Sequence, residues 1–107
     1  MPVTQQQARE ILETLAFQDA AETAHQGRQH FSRLARLAAG SWQADMIRQS
    51  ADVHTADSAE TFRAAMAQPD VAVIFLPQTA FVTADIIERV CRESPLSKMI
   101  IWETGDI

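Results

Sequence analysis

"PDVAVIFLP", Pro69 to Pro77, holds six consecutive apolar residues, Val71 to Leu76, between two turn-forming ends. No polar residue alternates with them. An unbroken apolar run of strand length is expected at the centre of a parallel sheet whose two faces are both covered. Burying Val71, Val73, Ile74, Phe75 and Leu76 at about 1.5–3 kcal/mol each gives roughly 7–15 kcal/mol before chain entropy. That equals the net stability of an ordinary domain, so a sheet with one bare face is excluded.

Working outward from this run, the pattern is strand, helix, strand, helix, strand. Val53-His54-Thr55 reads as a short strand. Asp57 then opens a helix with Glu60 in the capping-box position and Ala59, Phe62, Ala65 and Met66 inward, ended by Pro69-Asp70. Beyond the loop Pro77-Gln78-Thr79, a helix ends before Pro95, with Ile87, Val90 and Cys91 on one face and Glu88, Arg89 and Arg92 on another. Lys98 to Glu103 is the last strand. Such alternation is the mark of parallel strands joined by crossover helices. Crossovers are right-handed. Three strands side by side in chain order would place both helices on one face, leaving the N-terminal segment to cover the other. A sheet whose middle strand starts the order would place them on opposite faces.

The first forty residues read as a two-helix hairpin. Over residues 4–17, Ala8, Ile11, Leu12, Leu15 and Ala16 follow the helical stripe, and Thr4 with Gln7 fits a capping box. A second helix is expected from Asp19 to Ala39, with Asp19 and Glu22 at its start and Ala24, Phe31, Leu34, Ala35 and Ala38 as its stripe. Gly27 lies inside it, and Gly40 is its stop. In Trp42 to Ser50, Trp42, Ala44 and Met46 alternate with Gln43 and Asp45 as in a strand, yet Ser41 equally fits a helix cap; a helix or a loop is expected. The fold class expected is therefore α/β: one domain over 1–107, with a three-stranded mostly parallel sheet over about 53–103 covered by the helical hairpin of 1–40. The 107 residues suffice for a core without disulfide or metal.

Composition narrows the function. The formal charge of −5 falls entirely on residues 51–107, since residues 1–50 carry five basic and five acidic groups. Such a surface repels phosphate backbones and anionic membranes. The one cysteine rules out an internal disulfide framework. The N-terminal sequence has no basic region followed by an apolar one, and no apolar run approaches a membrane span, so a cytoplasmic location is expected.

Ligands of open parallel sheets bind beyond the C-terminal strand ends. Here that edge would gather Thr55, Asp57 and Ser58, then Pro77, Gln78 and Thr79, then Glu103, Thr104, Gly105 and Asp106. Asp57, Thr79 and Thr104 are the candidates for a small-ligand pocket of nucleotide or coenzyme A type. A magnesium ion on Asp57, Glu103 and Asp106 is conceivable, but a helix cap at Asp57 and solubilising carboxylates near the chain end account for these residues better. A phosphoacceptor receiver is disfavoured, because the central strand ends in Leu76-Pro77 and the only lysine, Lys98, begins the last strand. Neither phosphate-cradling glycine motif is present. Cys91 reads as a core thiol, His25 and His30 are five apart and diverge on a helix, and His54 has no evident acidic partner. No catalytic set, metal site or cofactor is expected.

Residues 60–104, "ETFRAAMAQPDVAVIFLPQTAFVTADIIERVCRESPLSKMIIWET", resemble the strand–helix–strand end of the small non-catalytic regulatory component of V/A-type ATPases. The part "VAVIFLPQTAFVTADIIERV" is similar to the nucleotide-fold segment of the α chains of succinyl-CoA ligases. Both likenesses cover less than half of the chain, the N-terminal third departs from both families, and no functional residue carries over. The expectation is a non-enzymatic regulatory or adaptor protein, an accessory subunit or a homodimer, acting through protein contacts. Arg28, Arg33 and Arg36 form its one basic cluster, and Trp42 and Phe81 are candidate aromatic anchors. The same arginines are the sole argument for nucleic acid, a partner the overall charge disfavours.

Overall fold

The computed structural model describes residues 3–19, 32–78, 82–94 and 96–104, and side chains for these except Val3, Thr4 and Asp19. The elements are α1 (Val3–Thr14), β1 (Gln18–Asp19), β2 (Arg33–Ala38), α2 (Trp42–Arg48), β3 (Val53–Thr55), α3 (Ala59–Met66), β4 (Val73–Leu76), α4 (Ala84–Glu93) and β5 (Met99–Thr104). They form a three-layer α/β/α sandwich around one sheet of order β1-β2-β5-β4-β3. Four strands run parallel, β2 with β5, β5 with β4 and β4 with β3, and the two-residue β1 joins β2 antiparallel.

The quoted apolar stretch behaves as its composition demands. Ile74 and Leu76 point into one core with Phe62, Ala65 and Met66 of α3, Ile87, Val90 and Cys91 of α4, and Ile100 of β5. Phe75 points into the other, with Ile11 of α1, Ala44 and Ile47 of α2, and Ile101. Successive strand residues face opposite sides, so one short strand anchors both layers.

The layer arrangement follows from handedness. From β2 the chain crosses to β3 at the far edge, then steps back through β4 to β5. Right-handed crossovers taken in opposite directions put their helices on opposite faces. Accordingly α2 packs on one face, and α3 and α4 on the other. Of the two arrangements open to β3, β4 and β5, the structure has the one in chain order with both their helices on one face, and the second face is covered by α1 together with α2.

That cover is not the expected hairpin. Residues 33–38 are a strand, and the parallel sheet has four strands rather than three. Arg33 pairs with Met99, Ala35 with Ile101 and Ala38 with Thr104. The apolar spacing of Leu34, Ala35 and Ala38 fits a helix, but six residues of parallel pairing beside a buried strand outweigh that preference. The partner of α1 is instead α2. Gln5 donates to the Gln49 carbonyl at 3.3 Å and accepts the Ala51 N–H at 3.1 Å, and Arg9 meets Asp52 at 3.1 Å. The remainder of the expected second helix, with Ala24, Gly27, Arg28 and Phe31, lies outside the described residues.

Two caps also differ from expectation. Helix α1 begins at Val3, so Thr4 is within its first turn. Helix α3 is capped by Ser58, not Asp57: its hydroxyl accepts the Thr61 N–H at 3.0 Å and the Thr61 hydroxyl accepts the Ser58 N–H at 2.9 Å. The extended backbone of Ser58 gives its hydroxyl this reach, with Thr61 in the role foreseen for Glu60. In α2, Ser41 caps by accepting the Ala44 N–H at 3.2 Å, which resolves 42–48 as helix.

Candidate functional site

The C-terminal edge of the sheet is where this topology makes a crevice. The chain leaves β2 toward the α1/α2 layer and leaves β4 toward the α3/α4 layer, and β5 lies between them. Divergent connections flanking a strand open the position at which α/β sheets receive ligands.

That position is filled by a side chain of the protein itself. Glu103 follows Ile101 by two residues on β5, so it shares the α1/α2 face and turns inward, only 4% exposed. Its Oε1 accepts from Arg48 Nη2 at 2.8 Å and from the Gln78 N–H at 3.2 Å, and its Oε2 accepts the Gly40 N–H at 3.0 Å. Three donors from three segments thus converge on one buried carboxylate: the turn after β2, the last turn of α2 and the loop after β4. Gly40 adopts φ +77°, a left-handed conformation open to glycine, which aims its N–H back at the strand end. Arg48 packs its guanidinium 5.5 Å from the centre of the Phe75 ring, which steadies it against the carboxylate. Charge-assisted hydrogen bonds of this kind stand among the stronger polar contacts in proteins.

Asp57 is exposed beyond β3, separated from β5 by β4, so about two strand spacings, roughly 10 Å, lie between it and Thr104. Thr104 is buried, on the opposite face of β5 from Glu103, and its Oγ1 has no hydrogen-bond partner among the described residues. Thr79 and Asp106 lie outside the described residues, as do Arg28, Phe81, His25 and His30. Among the described residues no group of three histidines, cysteines or carboxylates is placed to hold a metal ion.

Arg33 and Arg36 were expected on a helix with Arg28. As β2 residues three apart they project to opposite faces of the sheet, so they make no common basic surface. Arg36 lies over the Trp102 ring at 5.1 Å from its centre. Trp42, in the first turn of α2 beside the Gly40 turn, is 61% exposed. Burial pushes the Cys91 thiol up to about 11, only partly countered by a hydrogen bond with Ser32, which leaves it protonated and unreactive at neutral pH.

Sequence reasoning passed over Glu103 as a solubilising residue. The signal was present: a carboxylate two positions after Ile101, on a strand buried from Ile100 onward, has to turn inward. Its partners were not legible, because Gly40 and Arg48 reach it only if 33–38 lies beside β5.

Clefts of about 180 and 370 Å³ open elsewhere. The smaller lies between α3 and α4, spanned by the 3.8 Å contact of Arg63 with Glu93. The larger lies at the N-terminal strand edge near Arg33, Lys98 and Met99. No helix among the described residues is long and apolar enough to cross a membrane. Comparison with known proteins returned no match among family models, curated proteins or solved structures.

Proposed function

We propose that the protein is a non-enzymatic regulatory or adaptor module acting through protein–protein contacts, with a second copy of the chain or a different protein as partner. The observation that carries this reading is the engagement of both Glu103 oxygens. The crevice in which this topology ordinarily binds a substrate or nucleotide holds a carboxylate whose two oxygens are already engaged by Arg48, Gly40 and Gln78. Beside that edge stands Trp42, a large exposed aromatic in the first turn of α2, which is the residue type enriched at the centres of interfaces. Light scattering after size exclusion, together with affinity capture using wild type and Trp42→Ala, tests the reading. Self-association or a captured protein lost on Trp42→Ala is the expected result. A monomer that captures nothing, or capture unchanged by the substitution, counts against it.

A second reading, a small-ligand-binding domain, is favoured by one feature: the buried Thr104 hydroxyl with no partner among the described residues. A nucleotide or coenzyme A in the other half of the same edge would supply one. A thermal-shift screen decides, since a ligand at a hundred times its dissociation constant adds about 2.7 kcal/mol. No shift with any nucleotide or coenzyme A removes this reading.

A further inference from the structure

We infer that the crevice between the ends of β2, β5 and β4 is a carboxylate-binding site whose resident ligand is Glu103, so that the chain closes the ligand position of its own fold from within. The inference concerns the cradle alone and is independent of any partner.

Three observations build it. The donors belong to three separate elements, yet they meet within 2.8 to 3.2 Å of one carboxylate. The backbone is shaped for the task, because the Gly40 amide is presented by a left-handed residue directly after β2. The cation also rests on the buried Phe75 ring, 5.5 Å from its centre, a contact independent of the carboxylate. Two fixed backbone N–H groups and a guanidinium make a donor set for a small anion with two oxygens. In the native chain that anion is tethered, and tethering raises its effective concentration far above that of any free carboxylate. The native site is therefore closed, and an untethered carboxylate of formate or acetate size is what the cradle takes once the tether is cut.

Cutting the tether is the test. Glu103→Ala removes the carboxylate and leaves its donors, and its melting temperature is followed in sodium formate, sodium acetate, sodium phosphate and sodium chloride at equal ionic strength. The expected result is a melting temperature below that of wild type that rises saturably with formate and acetate. Chloride does not reproduce the rise, wild type does not respond, and Glu103→Ala with Arg48→Met loses it. A response equal in all four salts, or an equal response of wild type, overturns the inference. A larger response to phosphate than to either carboxylate overturns the ligand class. Wild type offers a second measurement that needs no stable variant. The Gly40 and Gln78 amide protons are expected downfield and slow to exchange, and both move in Glu103→Gln. Ordinary shifts with rapid exchange at both positions overturn it as well.

Discussion

Strand β5 carries one buried charge near each end, and the two are held in opposite ways. Lys98, immediately before the strand and 5% exposed, donates its ammonium protons to the Gln68 and Val71 carbonyls where the chain leaves α3. Glu103, near its far end, accepts from two backbone amides and from Arg48. Among the described residues the ammonium meets neutral dipoles, and it ties together the two ends of the turn between α3 and β4, Gln68 and Val71. The carboxylate meets dipoles and a full opposite charge, at the position where the fold would otherwise admit a ligand. At the N-terminal edge the buried charge braces the turn after α3, and a cleft of about 370 Å³ stays open beside it. The C-terminal edge is closed by occupancy of what is otherwise a binding site.

The largest effect is expected from emptying the occupied edge. Glu103→Ala removes the acceptor of two backbone amides, at about 1–3 kcal/mol each, a loss of about 2–6 kcal/mol in chemical denaturation. Arg48 adds less, because its side chain is half exposed and water can take the place of the carboxylate. Lys98→Met keeps the apolar stem and removes only the donors. Its expected cost is smaller, about 1–3 kcal/mol. A Lys98→Met loss exceeding that of Glu103→Ala would break the comparison as drawn.

Gly40→Ala sharpens it further. Nothing lies within 4 Å of the added methyl group, so the cost is that of the left-handed backbone, about 1–2 kcal/mol, with no steric clash. The Gln78 amide signal is expected to be retained while that of Gly40 shifts. Loss of both would show that the turn also sets the loop after β4.

Cys91 provides a control away from both charges. Its thiol is raised to about 11 in the folded chain from an ordinary 9, so the folded state holds its proton more tightly than the unfolded state. The stabilising contribution is intact below about pH 9 and is lost as pH rises toward 11. Cys91→Ala is expected to flatten the fall in stability over that window, as read by denaturation at pH 8 and pH 10.5. A fall of equal steepness in the variant would assign the alkaline loss to other groups. The smallest effect is expected at Trp42: as an exposed side chain, its change to alanine shifts stability by no more than about 0.5 kcal/mol.

What could be read in the sequence was what burial on two faces writes into it. Val71 to Leu76, with Ile87, Val90 and Cys91 after them, yielded the strand–helix–strand unit and its core because apolar residues there leave one packing solution. The segment Arg33–Ala38 was different. Arg33, Ala35 and Leu37 alternate with Leu34, Arg36 and Ala38, so neither strand face is cleanly polar, and Leu, Ala and Arg are all good helix formers. Its pairing with β5, and with the short β1, makes it a strand, and that is tertiary information. The error passed directly to the site. With 33–38 taken as helix, Gly40 was a helix stop, Arg33 and Arg36 shared a surface, and Glu103 had no partners. The Ser58 cap was missed for a local reason, since Asp57 and Glu60 match the same pattern one residue earlier.

The Glu103 cradle depends on β2 lying parallel against β5, because that pairing carries the Gly40 turn and Arg48 to Glu103. Cross-strand nuclear Overhauser effects in an isotope-labelled sample test it directly. Contacts linking Leu34 with Ile100, Ala35 with Ile101 and Arg36 with Trp102 in parallel register are predicted. Medium-range helical contacts within 33–38, with none to residues 99–104, would contradict it.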